Sequence, residues 1–273
     1  MTSLLIRLRT TVIVLISYAC AASGACADAA PRAGALTILT EHSPPGSMIE
    51  NGKVRGFATD KVREILRRAH VTYTLDLVPW KRAYTAALEH PSTCVYSTSR
   101  TPEREALFKW VGPTDQGDWV LMGRAGDAPV LRSLDDARGM RIGTYYGDAR
   151  DEYLRARGFQ VDPVPNDMLN PPKLLARRID LWAAGMRRGS NVLERNGWAG
   201  KIVPVFTFKQ ISVYLACNPA VPDALIARMN EAAAAIERDG SARRIEQRYE
   251  TQTDVPAGRA APSTRGNDRN TPP

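Results

Sequence analysis

The sequence has 273 residues and a formal net charge of +8, from 37 basic and 29 acidic side chains. The basic residues are scattered and form no run of about five or six, which argues against a nucleic-acid or membrane-binding arm. The charge therefore indicates either a solubilising surface or an anionic ligand. The three histidines lack metal-ligand spacing to a cysteine or to each other, which argues against a metal site. The length allows one large domain or two lobes.

Residues 1–27 have the pattern of a cleavable signal peptide. Two arginines precede a short apolar run, residues 11–19, and Ala25-Cys26-Ala27 is a small-x-small cleavage site. The apolar run is far shorter than the roughly 20 residues of a membrane-spanning helix. We therefore expect export, cleavage after Ala27 and a periplasmic protein without a membrane anchor of its own. The alternative is lipoprotein processing at Cys20 or Cys26, although neither has the leucine three positions earlier that a lipobox prefers.

From residue 35 to 252, short β-type runs alternate with helical runs, which is typical of sheets flanked by helices. The first half predicts strand 36–40, helix 57–68, strand 73–78, helix 82–88 and strand 93–97. In the first helix Val62, Ile65 and Leu66 share one face at helical spacing. This β-α-β-α-β order predicts a parallel unit with right-handed connections.

The second half repeats the plan of the first. It predicts strand 140–144, helix 149–157, strand 160–164, helix 171–178 and strand 180–184. Two apolar strands, 118–124 and 211–218, are placed to connect the units. The chain then ends in helix 221–237, with Gly240 at the C′ position that follows a helix, and a last helix capped by Ser241 and ending near Tyr249.

These patterns predict an α/β protein of two lobes joined by two crossing strands. Residues 28–122 would form the first part of lobe 1, residues 123–208 would form lobe 2, and residues 209–252 would return to lobe 1 and add the C-terminal helices. Residues 253–273 form a tail that has no large apolar side chain from Pro256 onwards. We expect this tail to be disordered because it cannot bury a core.

Cys94 and Cys217 are the cysteines that remain after the signal peptide is removed. In an oxidising compartment such a pair can persist as a disulfide. The alternative is two separate buried thiols, because free cysteine is among the most buried residue types.

Three segments carry a resemblance to a known family: STSRTPER at 97–104, GMRIGTYYGDARDEYL at 139–154 and ARRID at 176–180. Together with the order of elements, they resemble the bacterial extracellular solute-binding proteins of family 3, over about residues 35 to 250. The resemblance implies the type II periplasmic-binding fold. It also implies that the strand returning from lobe 2 lies antiparallel beside the third strand of lobe 1, so that a bridge from Cys94 to Cys217 would join neighbours in one sheet.

A candidate anion site follows the third strand. Thr101 and Pro102 suit the N-cap and first residue of a helix, whose free N–H groups could bind an anion. The guanidinium of Arg104 could hold a carboxylate bidentately. The resemblance implies that Arg104 and the hydroxyls of Ser97 and Ser99 hold the carboxylate and nearby polar atoms of an amino acid.

The residues alone leave a structural alternative at this site. Arg104 could pair on the surface with Glu103 or Glu105, while the two serines satisfy the end of the strand.

Other candidate ligand-binding residues follow other strands. Glu41 lies in a loop that resembles the one with which relatives cover the ligand, and Trp80 could stack on a ligand or pack between lobes. Tyr145 and Tyr146 could line the cleft or pack elsewhere. Asp148 lies in a turn that should face lobe 1 across the cleft, where it could accept a ligand amine or cap the next helix.

One position departs from the pattern of amino-acid-binding relatives. Those relatives commonly place an aspartate shortly after the segment that matches residues 178–180, to meet the ligand ammonium, and this chain has Gly185 there. An unpaired buried charge costs several kcal/mol, so an α-amino acid would need Glu41 or Asp148, or is not the ligand. Arg187 and Arg188 suit an anion, although an exposed helix face explains them more simply.

The leading hypothesis is a monomeric, non-enzymatic periplasmic receptor without a cofactor. It would bind a small polar, carboxylate-bearing, amino-acid-like ligand and deliver it to the membrane permease of an ABC-type importer, because a ligand that contacts both lobes closes them. One alternative is a free-standing sensor or regulatory binding protein. Another is a dehydratase-like enzyme on the same fold, with Glu41 or Asp148 as general acid or base.

Overall fold

A computed structural model describes residues 35–253 of the chain. The predicted signal peptide and residues 254–273 of the predicted tail lie outside the described residues. Residue 253 ends the last helix and so does not belong to the tail.

Lobe 1 begins with a parallel sheet whose strands are separated by helices. Its elements are β1 (Leu36–Thr40), β2 (Met48–Glu50), β3 (Lys53–Arg55), α1 (Phe57–Arg68), β4 (Tyr73–Leu77), α2 (Trp80–Glu89) and β5 (Thr93–Ser99). β1 is the centre of this unit and pairs in parallel with both β4 and β5. The α1 helix buries Val62, Ile65 and Leu66 against the sheet, as their helical spacing predicts.

Lobe 2 has the same plan, and two long strands join it to lobe 1. The remaining elements are β6 (Lys109–Arg124), β7 (Ile142–Tyr145), α3 (Ala149–Ala156), β8 (Val161–Val164), α4 (Asn170–Leu175), β9 (Leu181–Gly185), α5 (Met186–Arg195), β10 (Ile202–Cys217), α6 (Asp223–Arg238) and α7 (Ser241–Thr253). β7 pairs in parallel with β8 and β9, and β9 pairs antiparallel with β6.

The two crossing strands make one continuous sheet of the molecule. Its order is β4-β1-β5-β10-β6-β9-β7-β8, and β6 and β10 are antiparallel neighbours along almost their full length. Each has 16 residues and starts well before its predicted segment. The early parts of both strands contain glycine, proline or polar residues, which obscure the strand pattern in the sequence. Three shifts in the register between β6 and β10 accommodate these residues.

The disulfide that the resemblance implied is present. Cys94 on β5 and Cys217 on β10 are paired neighbours with Cα atoms 4.0 Å apart. Both side chains are fully buried in the lobe 1 core, so the bridge ties the crossing strand to the parallel sheet.

The predicted strands and helices are all present with shifted ends, but three details differ. The segment after Thr101 is a six-residue 3-10 helix, Pro102–Leu107, and the Thr101 side chain makes no capping hydrogen bond. This corrects the prediction that free N–H groups of an α-helix form the anion site. Ser241 is the first residue of α7 and not its cap, because its N–H donates to Asp239 Oδ1 at 2.9 Å. Gly240, by contrast, occupies the predicted C′ position with a φ of 72°.

The third difference is α5, for which the sequence analysis gave no bounds, although it considered a helix face for Arg187 and Arg188. Its segment contains arginines, a serine and Gly189, and so lacks a continuous apolar stripe. Gly189 explains how it packs, because a Cβ there would lie only 3.0 Å from Met122 Cε and 3.2 Å from Ala184 Cβ. Within residues 35–253, no helix has the length and apolar character that crossing a membrane requires.

Candidate functional site

A cavity of about 160 Å³ lies between the lobes, where the carboxyl ends of the parallel strands meet. A space of about this size is enough for a small organic molecule. Six of the seven residues predicted to bind ligand line it: Glu41, Trp80, Ser97, Ser99, Arg104 and Asp148.

Tyr146 is the predicted residue that the structure does not place in the cavity. Its side chain is 59% exposed, and it is not among the cavity-lining residues. The preceding residue, Tyr145, is buried, and its hydroxyl donates to Glu41 Oε2 at 2.9 Å. The prediction that Tyr146 lines the cleft is therefore corrected, because β7 ends at Tyr145 and Tyr146 lies in the exposed turn that follows.

Ser97 and Ser99 lie at the end of β5. Ser97 has a φ of 62°, in the left-handed region that few non-glycine residues adopt. Ser99 pairs in register with Val213 of β10, which also lines the cavity. Within the described part of the chain, neither serine hydroxyl has a hydrogen-bond partner, so both can bond a ligand.

Arg104 is almost fully buried and points from lobe 1 to lobe 2. Its Nε and Nη2 donate to Glu152 Oε2 on α3 at 3.1 and 2.9 Å, and Nη2 also donates to the carbonyl oxygen of Gly147 at 3.3 Å. The guanidinium lies 4.6 Å from the centre of the Tyr84 ring. Burial raises the pKa of Glu152, and the nearby Arg104 opposes that shift.

The surface pairing that the sequence left open for Arg104 does not form. Glu105 pairs instead with Arg100, which stacks on Trp110 and Tyr214. The partner of Arg104 is separated from it by 48 residues and lies in the other lobe.

Asp148 both caps α3 and lines the cavity. Its Oδ1 accepts the backbone N–H of Arg150 at 2.8 Å and Nε of the same residue at 2.6 Å. Burial disfavours the charged carboxylate, but the Arg150 guanidinium holds the pKa of Asp148 below its ordinary value. Arg150 is itself buried, lines the cavity and has Asp167 behind it, with Nη2 3.7 Å from Asp167 Oδ2. Asp148 therefore caps α3, as the second of the two interpretations predicted. Its side chain also lines the cavity.

Glu41 forms a second contact between the lobes. Its Oε1 accepts a bond from Arg188 Nη1 at 2.7 Å, and its Oε2 accepts one from Tyr145. Burial raises the pKa of Glu41, and Arg188 and Tyr145 partly offset that shift. Arg188 is thus not part of an exposed helix face, which corrects that interpretation.

Arg187 is exposed, but it too reaches across the cavity. Its Nη1 lies 3.2 Å from Asp115 Oδ1, and its guanidinium lies 4.6 Å from the centre of the Phe57 ring. Every arginine that lines the cavity is therefore paired with an acidic side chain of the protein.

Trp80 combines the two roles considered for it. It is 4% exposed and packs on Tyr84 with ring centres 5.6 Å apart, while its face borders the cavity. Its Nε1 donates to the Gly147 carbonyl oxygen at 3.0 Å, which joins α2 to lobe 2.

Gly185 lines the cavity at the end of β9. Its φ of −80° is open to any residue, and the nearest atom to a Cβ built there is Arg150 Nη1, at 3.9 Å. The position therefore has room for a larger side chain, and the group nearest to it is the Arg150 guanidinium.

Sequence reasoning missed Arg150 and Glu152, and it named Tyr145 without its contact to Glu41. All three belong to the segment 139–154 that carried the family resemblance. The partners of Glu152 and Tyr145 are distant in sequence, so no local pattern signals their contacts, whereas Arg150 bonds Asp148 only two positions before it. Among residues 35–253, no cluster of histidine, cysteine, aspartate and glutamate side chains is arranged to hold a metal ion.

Comparison with known proteins identifies the family. Residues 36–252 match the model of the bacterial extracellular solute-binding proteins, family 3, and the chain belongs to that family. The resemblance seen in the sequence is confirmed. No curated protein matches the sequence.

Solved structures with the same fold include both binding proteins and a sensor. A histidine kinase sensor domain with similarity to periplasmic binding proteins has a TM-score of 0.73 and 20% identity, covering 79% of this chain and 96% of that one. The arginine-, lysine-, histidine-binding protein ArtJ from Geobacillus stearothermophilus has a TM-score of 0.68 and 16% identity, covering 79% and 94%.

A third similar structure is the GluR0 ligand-binding core from Nostoc punctiforme in complex with L-glutamate. Its TM-score is 0.68 and its identity is 22%, with coverage of 78% of this chain and 98% of that one. At these identities the likeness shows the fold, which is the predicted two-lobed α/β fold of type II periplasmic-binding proteins.

Proposed function

We propose that this protein is a periplasmic receptor that closes on a small carboxylate-bearing, amino-acid-like solute and delivers it to an ABC-type importer. The observation that carries the proposal is the cavity between the lobes, which is lined by buried Arg104 and by Ser97 and Ser99, whose hydroxyls have no hydrogen-bond partner among residues 35–253. Family membership and similarity to structures of amino-acid-binding proteins support it. The signal-peptide pattern of residues 1–27 supports the location.

The proposed domain organisation follows from the same reasoning. Residues 28–122 and 209–252 form lobe 1, residues 123–208 form lobe 2, and the protein works as a monomer. Because the cavity is lined by both lobes, a ligand stabilises the closed form by its differential contacts with that form. A membrane permease would then recognise the closed surface.

The ligand carboxylate would be held by the Arg104 fork and the two serine hydroxyls. An ammonium, if the ligand has one, would meet Asp148, because this carboxylate lines the cavity and accepts both of its bonds from Arg150 at Oδ1, which leaves Oδ2 available. Position 185 cannot supply this contact. A screen must therefore include carboxylates without an amine as well as amino acids.

The first test is a thermal-shift screen of the protein without residues 1–27. The compounds are L-arginine, L-glutamate and other amino acids, amines, dicarboxylates and aromatic acids. A saturating ligand raises Tm because it binds the folded state alone. We expect a hit whose affinity falls about 100-fold in Arg104→Ala, which corresponds to ~2.7 kcal/mol for loss of a buried charged partner.

The matched control for this screen is Arg100→Ala. Arg100 belongs to the same segment but pairs with Glu105 on the surface, so its removal should leave ligand affinity unchanged. Absence of any hit, or a hit that binds Arg104→Ala as tightly as the unchanged protein, would contradict the proposed carboxylate site. Recovery of a chemically altered ligand would favour the dehydratase-like alternative.

A free-standing sensor is the second candidate, and the similarity to a histidine kinase sensor domain supports it. The two functions differ in the partner that recognises the closed form. Deletion of the gene would abolish uptake of the identified solute if the protein is an importer receptor. Normal uptake with loss of a transcriptional response to that solute would favour the sensor.

A further inference from the structure

The Arg104 anion site already holds a carboxylate, and that carboxylate belongs to the protein. Glu152 Oε2 accepts hydrogen bonds from both Nε and Nη2 of Arg104, at 3.1 and 2.9 Å, so one oxygen of this carboxylate occupies two of the donors with which the guanidinium would bind a ligand carboxylate. The pair joins lobe 1 to α3 of lobe 2. A ligand carboxylate cannot occupy the same donors while Glu152 remains there.

The two partners differ in how freely they can move. The Arg104 side chain is 2% exposed and is fixed by the Gly147 carbonyl oxygen and by the face of Tyr84. The Glu152 side chain is 44% exposed, and Arg104 is its one hydrogen-bonding side-chain partner within the described residues. Glu152 can therefore rotate into water and be solvated there, whereas Arg104 cannot leave without breaking its other contacts.

No neighbouring acidic side chain within residues 35–253 replaces Glu152 as the partner of Arg104. Asp148, the other acid facing Arg104 from lobe 2, is engaged by Arg150, and Glu105 is engaged by Arg100. Among residues 35–253, Glu152 is thus the acidic side chain that contacts the Arg104 guanidinium directly. Removing Glu152 leaves a buried guanidinium that needs another anion.

We propose that Glu152 is a tethered occupant of the Arg104 anion site, and that a ligand carboxylate binds by displacing it. This inference rests on the proposed function for its ligand, but the exchange itself is a property of Arg104 and Glu152. Glu152 then lowers the affinity of the protein for the ligand. The apparent dissociation constant of the ligand rises as the fraction of protein in which Arg104 is not paired with Glu152 becomes smaller. Glu152 also favours the closed arrangement of the lobes before any ligand arrives.

The variant Glu152→Gln tests whether Glu152 competes with a ligand carboxylate for Arg104 or only stabilises the fold. It keeps the size of the side chain and removes the charge that competes with a ligand. We expect the ligand-free protein to lose about 2 to 4 °C in Tm, because the interlobe ion pair is gone. We expect the dissociation constant of the carboxylate probe, L-arginine or L-glutamate, to fall about tenfold in calorimetric titration. A residue that only supports the fold would lower Tm and weaken binding together.

A second measurement does not depend on the natural ligand. Sodium acetate, compared with sodium chloride at equal ionic strength, should restore the Tm of ligand-free Glu152→Gln, because acetate supplies the carboxylate that Arg104 has lost. The control is Glu105→Gln, which removes the same charge from a surface pair and leaves Arg104 paired. The double variant Arg104→Ala with Glu152→Gln should show no acetate effect beyond that of the control.

The outcomes distinguish this inference from the proposed function. If a solute binds through Arg104 but Glu152→Gln binds it no more tightly and responds to acetate no more than Glu105→Gln, the tethered-occupant proposal is wrong and the receptor function stands. If acetate restores Glu152→Gln while no solute binds any variant, the tethered occupant is supported and the proposed ligand class is wrong.

Discussion

The carboxylate of Glu41 joins the lobes through a pair that is mostly removed from water. Its side chain is 13% exposed and that of Arg188 is 20% exposed, and Tyr145 donates to the second carboxylate oxygen. Because burial penalises both charges, the pair contributes little by itself, but loss of one partner leaves the other charge uncompensated.

Glu41→Gln should therefore destabilise the protein by about 2 kcal/mol, below the 3–5 kcal/mol of fully buried pairs because Arg188 keeps some contact with water. The measurement is urea unfolding at neutral pH. Glu105→Gln serves as the control, since exposed pairs are worth about 0–1 kcal/mol. A Glu41→Gln protein as stable as this control would show that Arg188 finds another anion.

Single side chains also show how far the candidate site could be predicted. Glu41, Trp80, Ser99 and Arg104 were found because they follow predicted strands or match a family segment, and parallel strands bring such positions to one edge. Glu152 was not found because nothing in its local sequence distinguishes a helix-surface glutamate from a partner of buried arginine.

At the scale of elements, the pair β6 and β10 is the main connection of the molecule. Both strands run through the hinge between the lobes, and the disulfide fixes β10 to β5 on the lobe 1 side. The two cysteines are 123 positions apart, so the bridge closes a loop that contains all of lobe 2. A cross-link over so long a loop restricts the unfolded chain strongly.

The double variant Cys94→Ala with Cys217→Ala should lose about 2 to 5 kcal/mol of unfolding free energy. Alanine suits these fully buried positions because it introduces no polar group. Urea unfolding measures the change, and a reductant added to the unfolding buffer should reproduce it in the unchanged protein. The same reductant should have no effect on the double variant. A loss well under ~1 kcal/mol would mean that the sheet pairing alone fixes β10.

Some helices and strands have a clear hydrophobic periodicity in the sequence, and others do not. The α1 helix was predictable because its buried residues recur at helical spacing, and the parallel strands were predictable as short apolar runs. The α5 helix and the early halves of β6 and β10 were not, because glycine, proline and arginine obscure their patterns and neighbouring strands or close packing compensate.

At the scale of the whole molecule, polar contacts across the cavity join the two lobes. The contacts are Arg104 to Glu152, Glu41 to Arg188, Asp115 to Arg187, and Trp80 to the Gly147 carbonyl oxygen. Each contact contributes only a modest free energy, so the sum of the four sets the equilibrium between open and closed forms that a ligand must shift.

Trp80→Phe removes one of these contacts while keeping an aromatic ring in place. Loss of one hydrogen bond costs about 1 kcal/mol, so the ligand-free open form should gain about fivefold in population. Small-angle scattering should show a larger radius of gyration, and a saturating ligand should restore the compact value. Trp110→Phe is the control, because Nε1 of Trp110 donates at 3.0 Å to the backbone carbonyl oxygen of Glu105 within lobe 1. An equal change in both variants would contradict an interlobe role for Trp80.

The sequence by itself determined the α/β order of the elements, and with the family resemblance it predicted the pairing of Cys94 with Cys217 and the strand ends at which the candidate site lies. These features follow from local periodicity and from the rule that parallel strands share a carboxyl edge. Only the tertiary structure decided which charges meet. Arg104 and Glu152 are 48 residues apart and Glu41 and Arg188 are 147 apart, and the energy of a charge pair depends on distance and burial rather than on position along the chain.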